Sequence, residues 1–303
     1  HVHLAADCID GDNIQDNAIN SEHYTDESID LVHMSADSVN ESKLNVSNAP
    51  TNGYFLSAQS GNTGGLTWAE AGGGVFTYNG TSGTVYGINN SGQDLTHASN
   101  QRCTLIGFDC GKEVTDGPGN TAVGAESLFK CTTGDYNTVL GHYSMAELTT
   151  GNQNVAIGNS AMSAGVTTGD NNVSIGLNAG NSLTSGAGNV LVGKEAGKGL
   201  TDVSYATAVG WQALKANTSG IRNTAMGWNA LFLTTSGGMN TAVGYGAGNQ
   251  VNSGGNNTFL GHEAANATNT GSSNTAIGYN SLYYNTTGDS NVCVGRQSGE
   301  DIS

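Results

Sequence analysis

The chain has 303 residues, of which 46 are glycine, 2 are proline and 11% are charged, and its formal net charge is −16. This is too little charge and proline for a disordered chain, and glycine lacks the period of three that collagen needs. The acidic balance argues against nucleic acid as a partner, and the absence of a run of about 18 apolar residues argues against membrane insertion. No signal-peptide pattern is visible, and the first residue is His rather than Met, as in a processed product or a fragment of something longer.

Residues 1–48 carry a period of ten: Cys8-Ile9-Asp10, Ala18-Ile19-Asn20, Ser28-Ile29-Asp30 and Ser38-Val39-Asn40 align. Two apolar residues per unit are too few for a core within one chain, so three chains wound about a common axis are expected to share them. Ten carboxylates lie here against Lys43 alone, which predicts an acidic, water-facing shaft. His3, His23 and His33 fall in one column. In a trimer each would form a ring of three, either holding a metal ion or anion on the axis or simply facing solvent.

Residues 49–74 are expected to form a small β-hairpin knob. Pro50 ends the ten-residue pattern, and Tyr54-Phe55-Leu56 and Leu66-Thr67-Trp68 flank a polar turn. Gly72-Gly73-Gly74 marks a hinge or tight crossing. Residues 75–102, with Val75 to Tyr78 and Thr84 to Gly87, are expected to supply irregular transition coils.

From residue 103 to 303 a unit recurs twelve times. A glycine preceded by an apolar residue occurs at 107, 124, 141, 158, 176, 193, 210, 227, 244, 261, 278 and 295, at steps of 17 residues with a single step of 18. With that glycine as position 0, position −1 is always aliphatic or Met, and position −3 is always Thr or Val. Position −4 is Asn and position −7 is Gly in ten of twelve copies, and position +3 is Ala, Ser or Cys. Such a period predicts a stacked repeat, because one unit cannot bury its own apolar face. The β-branched column at −3 favours a strand in which −3 and −1 share a face and −2 takes the other. A small residue at −2 would let another backbone approach. Gly at 0 and −7 and Asn at −4 are expected to be corners that tolerate positive φ. Each unit would hold two or three very short strands, and twelve layers at ~4.8 Å would make a rod of roughly 55 Å. The fragments from Trp211 to Leu214 and Tyr279 to Leu282 suit a helix in composition but are too short for one.

The in-register motif at Asn120–Gly124, Asn223–Gly227, Asn240–Gly244 and Asn274–Gly278 resembles the repeats of trimeric bacteriophage tail fibres. More distantly it resembles the head coils of trimeric autotransporter adhesins. The resemblance implies an all-β homotrimeric fibre: a decapeptide shaft, a β knob and a 12-coil parallel β-solenoid of 17-residue repeats. It implies a virion tail or extracellular location, other tail proteins at the N-terminus, and a host-surface glycan or protein as receptor. His1-Val2-His3 is similar to the His-x-His iron sites of some such fibres. Ser303 is the expected terminus left by a self-cleaving chaperone of the kind these fibres carry.

No catalytic constellation is present, so an enzyme is not expected: the sequence lacks a Gly-x-Ser-x-Gly elbow, a phosphate-binding loop and the calcium nonapeptide. No resident cofactor is expected beyond the axial ion. A polysaccharide-cleaving spike would need paired carboxylates, and Asp and Glu are sparse after residue 130. The five cysteines lack metal spacing and are expected as buried free thiols, with a Cys103–Cys110 bridge as the alternative. One outer column is distinctive. Position +1 reads Trp211, Trp228, Tyr245, His262 and Tyr279 over five consecutive coils, which predicts a ladder of rings. That ladder would bind a glycan, stabilise the stack, or fill a chain interface. The competing functions are a bacterial trimeric adhesin head and an ice- or mineral-binding solenoid. The second would use the −3 Thr column, which Val155, Val173 and Val190 interrupt.

Overall fold

The computed structural model describes residues 102–301 and four strands that precede them. The decapeptide segment, with His3, His23 and His33, lies outside the described residues, as do Cys8 and Ser303. Every described element is β-strand or turn, and no helix occurs among them.

The chain divides into two units, His1–Gly72 and Gly73–Ser303. In the first, β1 (Tyr54–Ala58) pairs antiparallel with β2 (Leu66–Glu70), with Leu56 opposite Trp68. In the second, β3 (Phe76–Asn79) and β4 (Thr84–Gly87) form an antiparallel hairpin, where the sequence suggested irregular coils. β4 then pairs parallel with the first coil, so the hairpin covers the edge that coil 1 would otherwise leave open.

Twelve three-residue strands follow, from Thr104–Ile106 in coil 1 to Val292–Val294 in coil 12. They stack as one parallel sheet in unbroken register, each −3 residue beside the next −3 residue, as Thr207, Thr224 and Thr241 are. This is a parallel β-solenoid. Each coil contributes one strand rather than two or three; the rest of the coil is turn. The turns are nevertheless bonded between layers. In coil 8 the Gly227 and Asn229 N–H groups donate to the Val209 and Trp211 carbonyls at 2.8 and 3.0 Å. The Leu231, Leu233 and Thr235 N–H groups donate to Ala247, Asn249 and Asn252 at 3.0, 2.9 and 3.0 Å. Aiming successive groups along the axis requires left-handed backbone at +2 and +4, carried by residues as unsuited to it as Leu128, Leu214 and Leu231, with φ of 52°, 53° and 51°. Each such residue costs about 1–2 kcal/mol, and burial and the bond to the next layer offset it.

The inward column is −2, not −1. Stacking buries Leu105, Ala122, Val139, Ala156, Leu191 and Phe259 completely or nearly so, and leaves the aliphatic −1 column turned outward. The small residues at −2 therefore do not admit a backbone; they make room for a core side chain from position +4. Where −2 is Ala122, Ala156, Ala208, Ala225 or Ala276, position +4 is Leu128, Met162, Leu214, Leu231 or Leu282, all buried. Where −2 is Leu105 or Leu191, position +4 is Gly111 or Gly197, and a Cβ there would lie 2.8 or 2.7 Å from that leucine. Phe259 is accommodated by Gly248 in the coil below it, where a Cβ would stand 2.8 Å from the ring. In most coils the core is thus filled by exchange between two columns; where both are small, as at Ser174 with Gly180 and Ala242 with Gly248, Leu191 or Phe259 of the next coil takes the space.

Two of the three expected corner columns have a different role. Gly at 0 does adopt φ between 123° and 141°, but Gly at −7 and Asn at −4 do not have positive φ. Gly at −7 is needed for close approach: a Cβ on Gly237 would lie 2.2 Å from the Gly254 carbonyl oxygen. Asn at −4 forms a buried polar ladder. Asn257 donates its backbone N–H to Asn240 Oδ1 at 3.0 Å, and Asn240 Nδ2 donates to the Gly254 carbonyl at 2.9 Å; the pattern repeats along the rod. Where Ala206 interrupts the ladder, Asn217 takes over the Gly220 carbonyl at 2.9 Å. In coil 1, Cys103 replaces the asparagine, its Sγ 3.2 Å from the Gly117 carbonyl. Cys103, Cys110, Cys131 and Cys293 are all buried and in no disulfide, and burial pushes the Cys131 thiol up to about 12.

Candidate functional site

The glycine at position 0 ends each strand and turns the chain so that +1 lies on the outer surface. Trp211, Trp228, Tyr245 and Tyr279 are all 40–50% exposed, and the His262 side chain is 48% exposed. Four of the five rings stack face to face. Trp228 and Tyr245 have centroids 4.6 Å apart with planes at 10°, Tyr245 and His262 are 4.8 Å apart at 11°, and His262 and Tyr279 are 5.3 Å apart at 23°. The spacing is that of the layers, so strand register alone aligns the rings.

Cations close the column at both ends. Lys194 Nζ lies 4.9 Å from the Trp211 centroid, and the Arg296 guanidinium lies 5.7 Å from the Tyr279 centroid. Both occupy position +1 themselves. The column therefore reads Lys194, Trp211, Trp228, Tyr245, His262, Tyr279, Arg296 without an acidic member.

Its geometry restricts its chemistry. A ring that stacks on its neighbours has both faces covered, so Tyr245 and His262 present edges and polar tips to solvent. Sugars that bind by laying C–H groups on an open aromatic face find none there. What is offered is a line of indole N–H, phenol and imidazole groups about one layer apart.

The surrounding charges are mostly paired. Lys112 meets Asp109 at 3.1 Å and Lys130 meets Glu147 at 2.8 Å, while Lys198 and Lys215 both reach Glu195, at 3.5 and 2.8 Å. Hydrogen bonds from Lys215 and then Gln212 hold the Glu195 carboxyl down to about 2. The stability these contacts contribute is therefore present above the ordinary 4.5 of a glutamate and lost as pH falls through about 2. Replacing Lys215 by Ala is expected to move the Glu195 midpoint up toward 4.5, read from the carboxyl carbon shift; an unmoved midpoint would remove Lys215 as the cause. His262 Nδ1 lies 3.7 Å from Glu263.

A second surface feature is a shallow groove lined by Leu233, Thr235, Gln250, Asn252 and Asn269, in which the Thr235 hydroxyl is spent on Asn252 Oδ1. Among the described residues no three His, Cys, Asp or Glu side chains cluster as metal ligands.

Which sheet face turns outward is a feature the sequence left open. Its −1 column runs Ile106, Val123, Leu140, Ile157, Ile175, Val192, Val209, Met226, Val243, Leu260, Ile277 and Val294, beside the Thr and Val residues of −3. Leu140, Met226, Leu260 and Val294 are exposed and the others half-buried against each other. The signal that could have placed it is the size exchange between −2 and +4, which marks −2 as the core position.

Comparison with known protein families, curated proteins and solved structures finds no match to the chain.

Proposed function

We propose that this chain is a structural fibre protein, three copies of which assemble side by side, and that it serves in attachment to a cell surface as a phage tail fibre does. One observation carries the reading. Each chain presents an axial strip of twelve aliphatic or methionine side chains, on a regular sheet face, with no charge in either of its columns. Water contact along such a strip is unfavourable by about 25 cal/mol per Å², and a second and third copy would remove it. Chains related by a closed rotation would each offer the same strip to the same neighbour, which limits growth to a defined oligomer.

The strip suits a protein interface better than an ice or mineral surface. Leu140, Met226 and Leu260 reach further than the valines between them, so the side-chain tips do not form a flat lattice. The repeated shallow surface alongside would carry the receptor contacts. Light scattering on the full chain is expected to give about three times the chain mass of 30.8 kDa. The double substitution Val209→Asp and Val243→Asp is expected to give single chains whose far-ultraviolet spectrum remains that of β-structure. A wild-type chain that stays single over the micromolar range would overturn the proposal.

A further inference from the structure

We infer that the +1 column from Lys194 to Arg296 binds an acidic polysaccharide laid along the fibre axis. This rests on the attachment reading above and specifies its ligand.

Three observations lead there. First, in the stack at 4.6, 4.8 and 5.3 Å Tyr245 and His262 have both faces closed by rings and Tyr279 by a ring and Arg296, so this part of the column recognises groups that accept hydrogen bonds at ring edges, not apolar sugar faces. Ring edges are the electropositive part of the quadrupole and favour negative partners. Second, four of the five described lysines are spent on carboxylates. The fifth, Lys194, makes no ion pair among the described residues, and neither does Arg296; both are held over a ring of this column. On a chain of net charge −16, two unneutralised cations at the ends of one tract form a local site for anions. Third, the tract is straight and regular. Six layer steps separate Lys194 from Arg296, about 29 Å at ~4.8 Å each, a length that an extended polymer of repeating acidic units would span and a single small anion would not.

A polyanion of nucleotides is the less suited ligand. Single strands bind by stacking bases on open aromatic faces, which Tyr245, His262 and Tyr279 do not offer, and the net charge of the chain repels a dense phosphate backbone.

The test measures binding of polygalacturonate to the full chain by the change in tryptophan fluorescence, with dextran as the neutral probe and poly(dT) as the nucleic-acid probe. Polygalacturonate is expected to bind and dextran not to. Binding should weaken with added salt, and the double variant Lys194→Gln, Arg296→Gln should lower the affinity at least tenfold while the light-scattering mass stays unchanged. Equal binding of dextran, or undiminished polygalacturonate binding by the double variant, would overturn the acidic assignment while leaving attachment standing. Poly(dT) binding as tight as polygalacturonate would also overturn it. Failure of all three probes, with no adsorption of the chain to any bacterial surface tried, would overturn both readings.

Discussion

Gly244→Ala is expected to lower the stability of the solenoid by at least about 3 kcal/mol. Two independent penalties meet at this residue. Its φ is 139°, where any side chain is strained, and a Cβ would stand 2.2 Å from the Gly261 carbonyl oxygen of the next coil. The carbonyl cannot retreat, because both coils are fixed by the strand pairing of Val243 with Leu260. In a stacked array the damage stays local at first: the interface between coils 9 and 10 weakens, and cooperativity between the two halves falls. Urea unfolding followed by circular dichroism should show a lower midpoint and a broadened or divided transition. Gly255→Ala is the control, since its Cβ would stand 3.0 Å from the Gly238 carbonyl oxygen, close but well short of the 2.2 Å clash at Gly244, and without positive φ. It should change stability by less than about 1 kcal/mol. Equal effects of the two substitutions would refute the close-approach argument.

Asn240→Ala is expected to cost about 3 kcal/mol, through lost hydrogen bonds and not lost volume. The Asn240 side chain accepts the Asn257 N–H at 3.0 Å and donates to the Gly254 carbonyl at 2.9 Å, with no access to solvent. Alanine leaves a donor and an acceptor buried without partners, each worth about 1–3 kcal/mol. At Ala206 the carbonyl of the next layer keeps two donors, since Gly220 O accepts from Asn217 at 2.9 Å and from Asn223 at 3.1 Å. The position that corresponds to 217 here, three residues before Gly254, is Val251, which has no side-chain donor. Replacement of the exposed Asn269 by Ala should fall within about 0.5 kcal/mol, and parity between the two would show that the ladder contributes little.

The repeat, its twelve layers, the place of each strand and the alignment of rings at +1 were legible in the sequence. All follow from periodicity, which registers identical positions on one another. Which face of the strand points inward was not legible. The uniformly aliphatic −1 column satisfies the usual expectation for a core, whereas −2 alternates among Ala, Leu, Ser and Phe and looks permissive. Only pairing with +4 shows that Ala122 with Leu128, and Leu105 with Gly111, fill the same space. The left-handed positions at +2 and +4 were hidden for a related reason. They carry Leu, Met, Glu and Gln more often than Gly, because bonds between layers over-determine a backbone that local propensity disfavours. The asparagine column was seen as turn chemistry, since a single unit gives no sign that the layers above and below supply its partners. For the +1 column, the sequence placed the rings but not their faces. Face-to-face stacking at 10° and 11° is what shifts its chemistry from apolar sugar contact to hydrogen bonding and charge.

The account depends most on the outward aliphatic strip being shared between chains, and a single engineered thiol tests this directly. The four described native thiols are buried, so a cysteine introduced at 243, on the half-buried outer column, would be the accessible one among the described residues. Under mild oxidation Val243→Cys is expected to yield covalently linked chains in high proportion, while Ser290→Cys, at the exposed −5 position of coil 12, yields none. Chains that remain unlinked at 243, with a thiol there that reacts as fast as a free one in water, would contradict the account.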